Sequence, residues 1–228
     1  MNYDARRKEC LNQLYEGGRR DKSPKGFLDA GIADCCDYIN SLSSYYTTSS
    51  CSGRISIFVE HDDRNDNFWL LCSHEKVTFP QVKALLNQFY KKQDKKCSLV
   101  LRFEPFILSI ECKNLYYSSK LVQLAIGSGC RETGLSFGAI YPPKRFMVSI
   151  RHAIRLETPI ANQDTLYITE TYLQRLIDQV NKKMDQNYNR MDQLFQQLQK
   201  LKSLSDTTND PNIQSVNPQQ QQQKVIIF

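Results

Sequence analysis

Hydrophobic residues recur at steps of three and four over the last third of the chain, a spacing that places them on one side of an α-helix. The apolar positions are Leu173, Leu176, Ile177, Val180, Met184, Tyr188, Met191, Leu194, Phe195, Leu198 and Leu201. They predict a long amphipathic helix over 169–203, with Glu170 in the first turn, where a carboxylate stabilises the helix dipole. We expect the apolar side of this helix to pack on the body of the protein; pairing with another helix is the alternative.

Shorter helical and strand-like patterns fill the body of the chain, 1–160. Helices are predicted over 3–16, over 29–42, over a segment with Pro80 in its first turn, and over 114–127. Strands are predicted over 45–50, 54–60, 68–73, 98–103, 106–112, 134–140, 145–151 and 154–158. Because the strands come in adjacent twos and threes with helices between the groups, the order favours an α+β fold with a mixed, largely antiparallel sheet.

The C-terminal segment 204–228 differs in composition from everything before it. It contains five consecutive glutamines and almost no apolar residues before the last four positions. Such a segment cannot bury enough surface to offset the entropy of ordering it, so we predict that it is disordered. The remaining residues, 1–203, are predicted to form a single α+β domain.

Membrane insertion and secretion are not supported by any segment of the sequence. The longest apolar run, Phe68–Cys72, is far shorter than the roughly 18 residues that a membrane span needs. The start of the chain is charged and does not resemble a signal peptide. The eight cysteines form no C-x-x-C pair and the three histidines are widely separated. We therefore expect a cytoplasmic protein with reduced thiols, no membrane segment and no metal site.

Positive charge exceeds negative charge along the chain. The net charge is +6, which favours a polyanionic partner such as a nucleic acid. Basic residues cluster at Lys91, Lys92, Lys95 and Lys96, and again at Arg151 and Arg155. Taken alone, such clusters are more often solvated surfaces than nucleic-acid patches.

Small polar residues interrupt two strand-like runs at SSCSGRI, residues 49–55. Such a turn exposes backbone N–H groups and hydroxyls that suit a phosphate or carboxylate. The guanidinium of Arg54 adds a positively charged group that can donate two parallel hydrogen bonds to such an anion. A tight hairpin corner without any ligand explains the same residues. Cys51 has no histidine near it in sequence, so we interpret it as a structural thiol.

A second glycine-rich segment, GSGCRETG at 127–134, superficially resembles a dinucleotide-binding loop. The third glycine of that motif would fall at Glu132, and the segment follows a predicted helix instead of preceding one. It is therefore no Rossmann signature, although Ser128, Gly129 and Arg131 could still hold an anion.

Three further residues stand near strand ends. Glu104 is followed by Pro105, which cannot donate to a strand ladder and so marks a break between two apolar strands. A carboxylate at such a break is either a turn residue facing solvent or a positioned acceptor. Trp69 is expected in the core, and His74 at the end of its strand.

Together these motifs have a recognisable order. The residues that carry the resemblance are Lys25, Gly26, Asp29, Tyr46–Ile55, Trp69, His74, Phe103–Phe106, Ser128, Gly129, Arg131, Gly134, Arg151, Glu157, Pro159 and Ile168–Glu170. Over residues 20–200 the series resembles the tRNA wybutosine-synthesizing protein 3 family. One position departs from the family pattern: His152 stands where the family usually has a serine, which affects any ligand contact inferred there.

The resemblance implies a fold unlike the Rossmann-type methyltransferase sheet and an S-adenosylmethionine-dependent tRNA methyltransferase of wybutosine biosynthesis. The implied substrate is 7-(3-amino-3-carboxypropyl)-4-demethylwyosine next to the anticodon of phenylalanine tRNA, and the acceptor atom is N4. Because N4 loses a proton on methylation, a general base is expected. Asp29, His74 and Glu104 are the catalytic candidates, and the sequence does not rank them.

The resemblance also suggests which residues bind each ligand. The cofactor carboxylate or an RNA phosphate is assigned to Ser49, Ser50, Gly53, Arg54, Ser128, Gly129 and Arg131. The tRNA body is assigned to Lys25, Lys144, Arg145, Arg151 and Arg155, through salt-sensitive phosphate contacts. Two other functions remain as alternatives: a non-catalytic RNA-binding module that uses the same basic surface, and a scaffold that acts through the 169–203 helix.

Overall fold

A computed structural model describes residues 1–15, 28–90, 96–137 and 144–200. Lys25, three of the four clustered lysines (Lys91, Lys92 and Lys95) and the segment 204–228 lie outside these residues, so the predictions made for them stay predictions. In the described part of the chain, no helix is long and apolar enough to cross a membrane.

Five helices and eight strands make up the described structure. The helices are α1 (Tyr3–Tyr15), α2 (Ala30–Ser41), α3 (Phe79–Tyr90), α4 (Leu115–Gly127) and α5 (Glu170–Gln199). The strands are β1 (Tyr45–Cys51), β2 (Arg54–His61), β3 (Phe68–Ser73), β4 (Cys97–Glu104), β5 (Ile107–Cys112), β6 (Gly134–Phe137), β7 (Phe146–Ile150) and β8 (Leu156–Asn162). A single 3-10 turn, Arg64–Asp66, was not predicted. The other elements lie where the hydrophobic pattern predicts them.

Side-chain caps fix the start of two helices. The Asn114 side chain accepts a hydrogen bond from the Tyr117 amide over 3.2 Å at the start of α4. The Thr169 hydroxyl accepts one from the Tyr172 amide over 3.2 Å at the start of α5. Each bond satisfies an amide that has no partner within its helix.

The strands divide into two four-stranded antiparallel sheets. One sheet has the order β1-β5-β7-β6 and the other has the order β3-β2-β4-β8. The α+β class and the antiparallel pairing are confirmed, and the fold is not a Rossmann sheet. The division into two sheets is not visible in the hydrophobic pattern, because each strand keeps the same period in either sheet.

Three connections carry the chain from one sheet to the other. Residues 52–53 join β1 to β2, residues 105–106 join β4 to β5, and residues 151–155 join β7 to β8. The predicted hairpin corner after Cys51 is therefore a crossing between sheets. The predicted break at Pro105 is a second crossing, as expected for a residue that cannot donate to a ladder.

Helix α5 packs against both sheets. Its N-terminal half, with Leu173, Ile177 and Val180, belongs to the apolar core of the β3-β2-β4-β8 sheet and α3. Its C-terminal half, with Met191 and Leu194, belongs to the core of the other sheet with α2 and α4. The prediction that this helix packs on the body is confirmed, and α5 passes beneath the line where the chain changes sheets.

The expectation of a core tryptophan is wrong. Trp69 is 43% exposed on β3, an edge strand. A register shift between Ile57 and Phe58 sets Trp69 opposite Phe58, on the sheet face away from α3 and α5. The inward positions of this sheet are taken by aliphatic residues such as Ile57 and Leu71.

Candidate active site at the sheet crossings

The first crossing requires glycine at its corner. Gly53 has φ +95°, a conformation that only glycine adopts without strain. A Cβ on Gly53 would lie 2.8 Å from the Asn187 side-chain nitrogen and 3.1 Å from the Glu104 carbonyl oxygen. The absence of a side chain therefore lets the first crossing, the second crossing and α5 approach one another closely.

Asn187, in the middle of α5, connects all three crossings. Its Nδ2 donates to the Ser52 carbonyl over 2.7 Å, and its Oδ1 accepts from the Phe106 amide over 2.8 Å. The same Oδ1 lies 3.2 Å from Nε2 of His152 in the third crossing. Asn187 is fully buried, so these bonds have no water to replace them.

His74 follows β3 and points at the first crossing. Its Nδ1 lies 2.8 Å from the Gly53 carbonyl oxygen and 3.2 Å from Oδ2 of Asp29. Because a carbonyl oxygen can only accept, Nδ1 carries the proton, and the lone pair of the neutral ring is on Nε2. Asp29 also accepts from the Ser52 amide over 2.9 Å. The Asp29–His74 pair therefore has the arrangement of a base with an orienting carboxylate.

Glu104 makes a different contact, with Arg54. The two residues face each other across β2 and β4, and Nε of Arg54 lies 2.6 Å from Oε2 of Glu104. Burial alone would lower the pKa of Arg54, but the hydrogen bond and charge of Glu104 raise it. The guanidinium also stacks over Trp69 at 4.8 Å from the ring centroid. Arg54 and Glu104 thus form a fixed, partly exposed ion pair beside the first crossing.

Next to Glu104 lies a cleft of about 340 Å³. Its lining combines apolar residues near the second crossing with charged residues from the third crossing and from the ends of β4 and β8. The lining residues are Arg102, Phe103, Glu104, Pro105, Phe106, Ile107, Arg151, Arg155, Leu156 and Glu157. Arg155 pairs with Glu132 at 3.0 Å, whereas Arg151 donates, within the described residues, to the Ser149 hydroxyl over 3.1 Å. Both predicted RNA-binding arginines of this segment therefore border the cleft.

The second glycine segment lies at the C-terminal end of α4. Gly129 has φ +87°, and a Cβ there would overlap the guanidinium of Arg190. The Ser128 hydroxyl donates to the Leu124 carbonyl over 2.8 Å, and Arg190 donates to the Ser128 carbonyl over 3.0 Å. Because Arg190 and Asn187 are three residues apart on α5, the two predicted glycine turns contact adjacent positions on one side of this helix.

His152 is buried against Phe106, with ring centroids 5.1 Å apart. Because Oδ1 of Asn187 is an acceptor, Nε2 of His152 donates to it, and Nδ1 has no hydrogen-bond partner among the described residues. Burial lowers the pKa of His152, so the ring is neutral at pH 7. The residue that departs from the family pattern thus contacts Asn187 through a neutral ring.

Arg145 lies elsewhere, in a buried ionic cluster. Its Nε and Nη2 lie 2.9 and 2.7 Å from Oε2 of Glu111, a carboxylate that is fully buried. Arg6 and the Tyr46 hydroxyl complete the cluster, at 2.9 and 2.6 Å from the same carboxylate. Lys144 is exposed beside it. Arg145 therefore has a structural contact that the sequence did not indicate.

The structure brings together most of the predicted site. Asp29, Gly53, Arg54, His74 and Glu104 surround the first crossing. Ser49 and Ser50 precede it on β1, where Ser49 is exposed and Ser50 is half-buried. Ser128, Gly129 and Arg131 lie at the end of α4, and Arg151 and Arg155 border the cleft.

Asn187 and Arg190 are the residues that the sequence analysis missed. A signal for Asn187 existed: it is a polar residue at an apolar position of the α5 stripe, between Met184 and Met191.

One group of metal-type donors is present in the described part of the chain. Ligand atoms of Asp29, Cys51 and His74 lie within 4.8 Å of one another. The Nδ1 atom of His74 is already bonded to the Gly53 carbonyl, and burial raises the pKa of Cys51, which favours the thiol over the metal-binding thiolate. These contacts fit the interpretation of Cys51 as a structural thiol.

Comparison with known proteins gives a consistent result. The model of the family described as Methyltransferase TYW3 matches residues 5–200. A tRNA wybutosine-synthesizing protein 3 of Schizosaccharomyces pombe is 31% identical over 88% of this chain and 88% of its own length. A human homologue of protein 3 is 30% identical over 92% of this chain and 77% of its own.

Two longer plant proteins and a solved structure also match. The Arabidopsis thaliana tRNA wybutosine-synthesizing protein 2/3/4 is 37% identical over 84% of this chain, which spans only 20% of that relative. The chain spans 22% of the rice counterpart. The structure of the PH1069 protein from Pyrococcus horikoshii superposes with a TM-score of 0.73 at 27% identity, over 86% of this chain and 96% of the other.

Proposed function

We propose that this chain, which belongs to the Methyltransferase TYW3 family, is an S-adenosylmethionine-dependent tRNA methyltransferase of wybutosine biosynthesis. The match of the family model to residues 5–200 carries the proposal, because this range contains every residue of the site. The substrate is the tricyclic guanosine derivative next to the anticodon of phenylalanine tRNA, and N4 accepts the methyl group. The reaction takes place in the cytoplasm.

The cleft beside Glu104 suits the methyl donor. Its volume of about 340 Å³ is in the range of small-molecule sites, which combine apolar walls with a few polar groups. Ile107 and Leu156, the partly exposed apolar residues of the lining, would contact the apolar parts of the donor, and Arg151 would pair with its carboxylate. Bound there, S-adenosylmethionine supplies a methyl group on a positively charged sulfur. Gly53 and Arg54, predicted to bind the cofactor, lie at the Glu104 end of the cleft.

The Asp29–His74 pair supplies the general base in this proposal. Methylation forms an N4–C bond as the S–C bond breaks, and N4 must release its proton. Nε2 of His74 carries the ring's lone pair and accepts that proton. Asp29 and the Gly53 carbonyl hold Nδ1–H in place and stabilise the charged ring that forms.

Glu104 has a positioning role instead. Its carboxylate is ion-paired with Arg54 at 2.6 Å, which holds it at the edge of the cleft. The pair orients Arg54 over Trp69 and closes one end of the cleft. Because transfer between two bound reactants depends on their alignment, loss of either residue should slow methyl transfer.

Calorimetry separates this function from a non-catalytic RNA-binding module. Purified protein is titrated with S-adenosylmethionine and, separately, with tRNA. The proposal predicts saturable binding of both ligands, with cofactor affinity reduced in Ile107→Asp, which places a charge in the apolar wall. Binding of tRNA without any cofactor binding would support the RNA-binding module and contradict the enzyme.

A further inference from the structure

A second depression, separate from the Glu104 cleft, lies where the end of α4 meets α5. It has a volume of about 380 Å³ and is lined by Ile126, Gly127, Ser128, Gly129, Arg131, Arg190, Gln193, Gln196 and Gln197. We call it the α4–α5 pocket. The lining contains two arginines and three glutamine amides but no carboxylate.

Positive charge in this pocket is held in place and is not neutralised locally. Arg190 donates through Nη1 to the Ser128 carbonyl over 3.0 Å and to Gln193 over 3.1 Å, which fixes its plane. Arg131 has no carboxylate within salt-bridge distance among the described residues. Glu132, the nearest acidic residue in sequence, is paired with Arg155 at 3.0 Å. An anion in the pocket would therefore meet two guanidinium groups and no carboxylate of the lining.

The glycine of this pocket has a specific role. Gly129 at φ +87° ends α4, and any side chain there would displace the Arg190 guanidinium. The C-terminal end of a helix carries partial negative charge, which stabilises a cation such as Arg190 at that place. The fold therefore sets an arginine of α5 against the loop that carries Arg131.

The chemistry of the walls distinguishes an RNA phosphate from the carboxylate of the methyl donor. A site for a small cofactor needs apolar surface for the base and the carbon chain, and here only Ile126 is a large apolar residue. The Glu104 cleft has such walls, whereas the α4–α5 pocket is open and lined by long polar side chains. Phosphodiester contacts in RNA complexes are made by side chains of this kind.

We infer that the α4–α5 pocket binds a backbone phosphate of the tRNA, through Arg131, Arg190 and the glutamines of α5. This inference rests on the proposed function, because it assigns a contact for the tRNA substrate. It also divides the sequence-predicted anion residues: the turn at Gly53 stays with the methyl donor, and the turn at Gly129 contacts RNA. Arg190 lies one helical turn from Asn187, so the phosphate is held close to the crossings.

A negative charge introduced on the exposed face of α5 tests this inference with a matched control. Gln196→Glu adds a carboxylate to the pocket and places it four residues before Lys200, which favours the helix. Gln179→Glu adds the same charge four residues before Lys183, about 25 Å away along α5 at 1.5 Å per residue. Both positions are exposed. Arg131→Gln, also at an exposed position, removes one charge of the pocket without adding another.

The measurements are the dissociation constant for phenylalanine tRNA over a series of salt concentrations, and the cofactor dissociation constant. Gln196→Glu and Arg131→Gln should each weaken tRNA binding by roughly tenfold, and Arg131→Gln should lower the salt slope by about one. Gln179→Glu should bind tRNA like the unmodified protein, and all three variants should keep their cofactor affinity.

Two results would overturn the inference while leaving the proposed function intact. One is unchanged tRNA affinity and salt slope in Gln196→Glu and Arg131→Gln. The other is weaker cofactor binding with normal tRNA binding, which would assign the pocket to the cofactor carboxylate. Failure of the unmodified protein to bind cofactor at all would instead contradict the proposed function, so the two failures are distinguishable.

Discussion

The side chain of Asn187 donates to the backbone carbonyl of Ser52, 135 residues earlier in the chain, over 2.7 Å. Through its oxygen the same amide accepts from the Phe106 amide, and it contacts His152. One buried side chain of α5 therefore holds the three places where the chain passes between the two sheets. The turn that carries Gly53 and faces His74 is positioned from below by this helix.

Replacement of Asn187 by alanine should reduce both stability and methyl transfer. The Ser52 carbonyl, the Phe106 amide and His152 would lose their shared partner in a buried site, at a cost of roughly 2–4 kcal/mol in the free energy of unfolding. Because the first crossing would shift relative to His74, the turnover of the folded protein should fall at least tenfold. Urea unfolding and single-turnover methylation measure the two effects.

Asn40→Ala is the matched control for that variant. Asn40 is also a buried asparagine that bonds a backbone amide, that of Thr47 at 2.8 Å, but it lies in α2 away from the three crossings. The Asn40→Ala variant should lose about as much free energy of unfolding as Asn187→Ala, and its folded molecules should keep the turnover of the unmodified protein. Equal loss of turnover in both variants would show that Asn187 acts through general stability alone.

Asp29 and His74 should differ in how much their loss reduces the rate. His74→Ala removes the proton acceptor and should lower single-turnover methyl transfer by roughly 10²–10⁴-fold. Asp29→Asn keeps the hydrogen bonds but removes the orienting charge, so a smaller loss of about tenfold is expected. Calorimetry should show unchanged tRNA affinity in both. A His74→Ala variant with the normal rate would assign the base to another group.

The buried ionic cluster around Glu111 makes the free energy of unfolding depend on pH in the acidic range. Burial alone would raise the pKa of Glu111, but hydrogen bonds from Arg6, Tyr46 and Arg145 lower it below its ordinary value of 4.5. The stabilising effect is therefore complete above about pH 4.5 and is lost as the pH falls through the lower pKa of the folded state.

Glu111→Gln tests this effect directly. At pH 7 the free energy of unfolding of the variant should be about 3 kcal/mol lower than that of the unmodified protein, because two arginines lose their buried counter-charge. The difference from the unmodified protein should shrink as the pH falls below 4.5. Urea titrations at several pH values give the curve, and a difference that stays constant down to pH 2 would contradict this account.

Arg145 and Arg151 flank the same strand but should respond differently to substitution. Arg145 is ion-paired with Glu111 at 2.7 Å, whereas Arg151 has no ion pair among the described residues and borders the cleft. Arg145→Gln should mainly lower the free energy of unfolding. Arg151→Gln should leave the free energy of unfolding within about 0.5 kcal/mol of the unmodified protein and weaken the binding of S-adenosylmethionine, whose carboxylate Arg151 contacts in the proposed function. Calorimetric titration with S-adenosylmethionine and urea unfolding on both variants make the comparison, and the reverse pattern would refute it.

Local patterns predicted most of the fold. The three- and four-residue steps that ended at Leu201 predicted α5, because an amphipathic helix that packs along its whole length needs an apolar stripe of that length. Pro105 marked a crossing, because proline has no amide to donate. The partition into two sheets escaped prediction, because it depends on pairing between strands that are far apart in sequence.

The site was predicted unevenly for the same reason. Gly53, Arg54 and His74 stand in short motifs with unusual composition, and the structure brings them together. Asn187 and Arg190 are isolated polar residues in a helix, and only the packing of α5 beneath the crossings gives them their contacts. Trp69 was expected in the core because it lies on an apolar strand, but the register of that edge strand sets its exposure.

A methylation assay followed by mass spectrometry of the digested nucleosides tests the central claim most directly. Purified protein receives S-adenosylmethionine and phenylalanine tRNA that carries the unmethylated precursor, beside a tRNA methyltransferase of known activity as a positive control. The account predicts that the tricyclic nucleoside gains one methyl group and that His74→Ala abolishes most of the gain. An unchanged nucleoside, with the positive control active in the same tube, would contradict it.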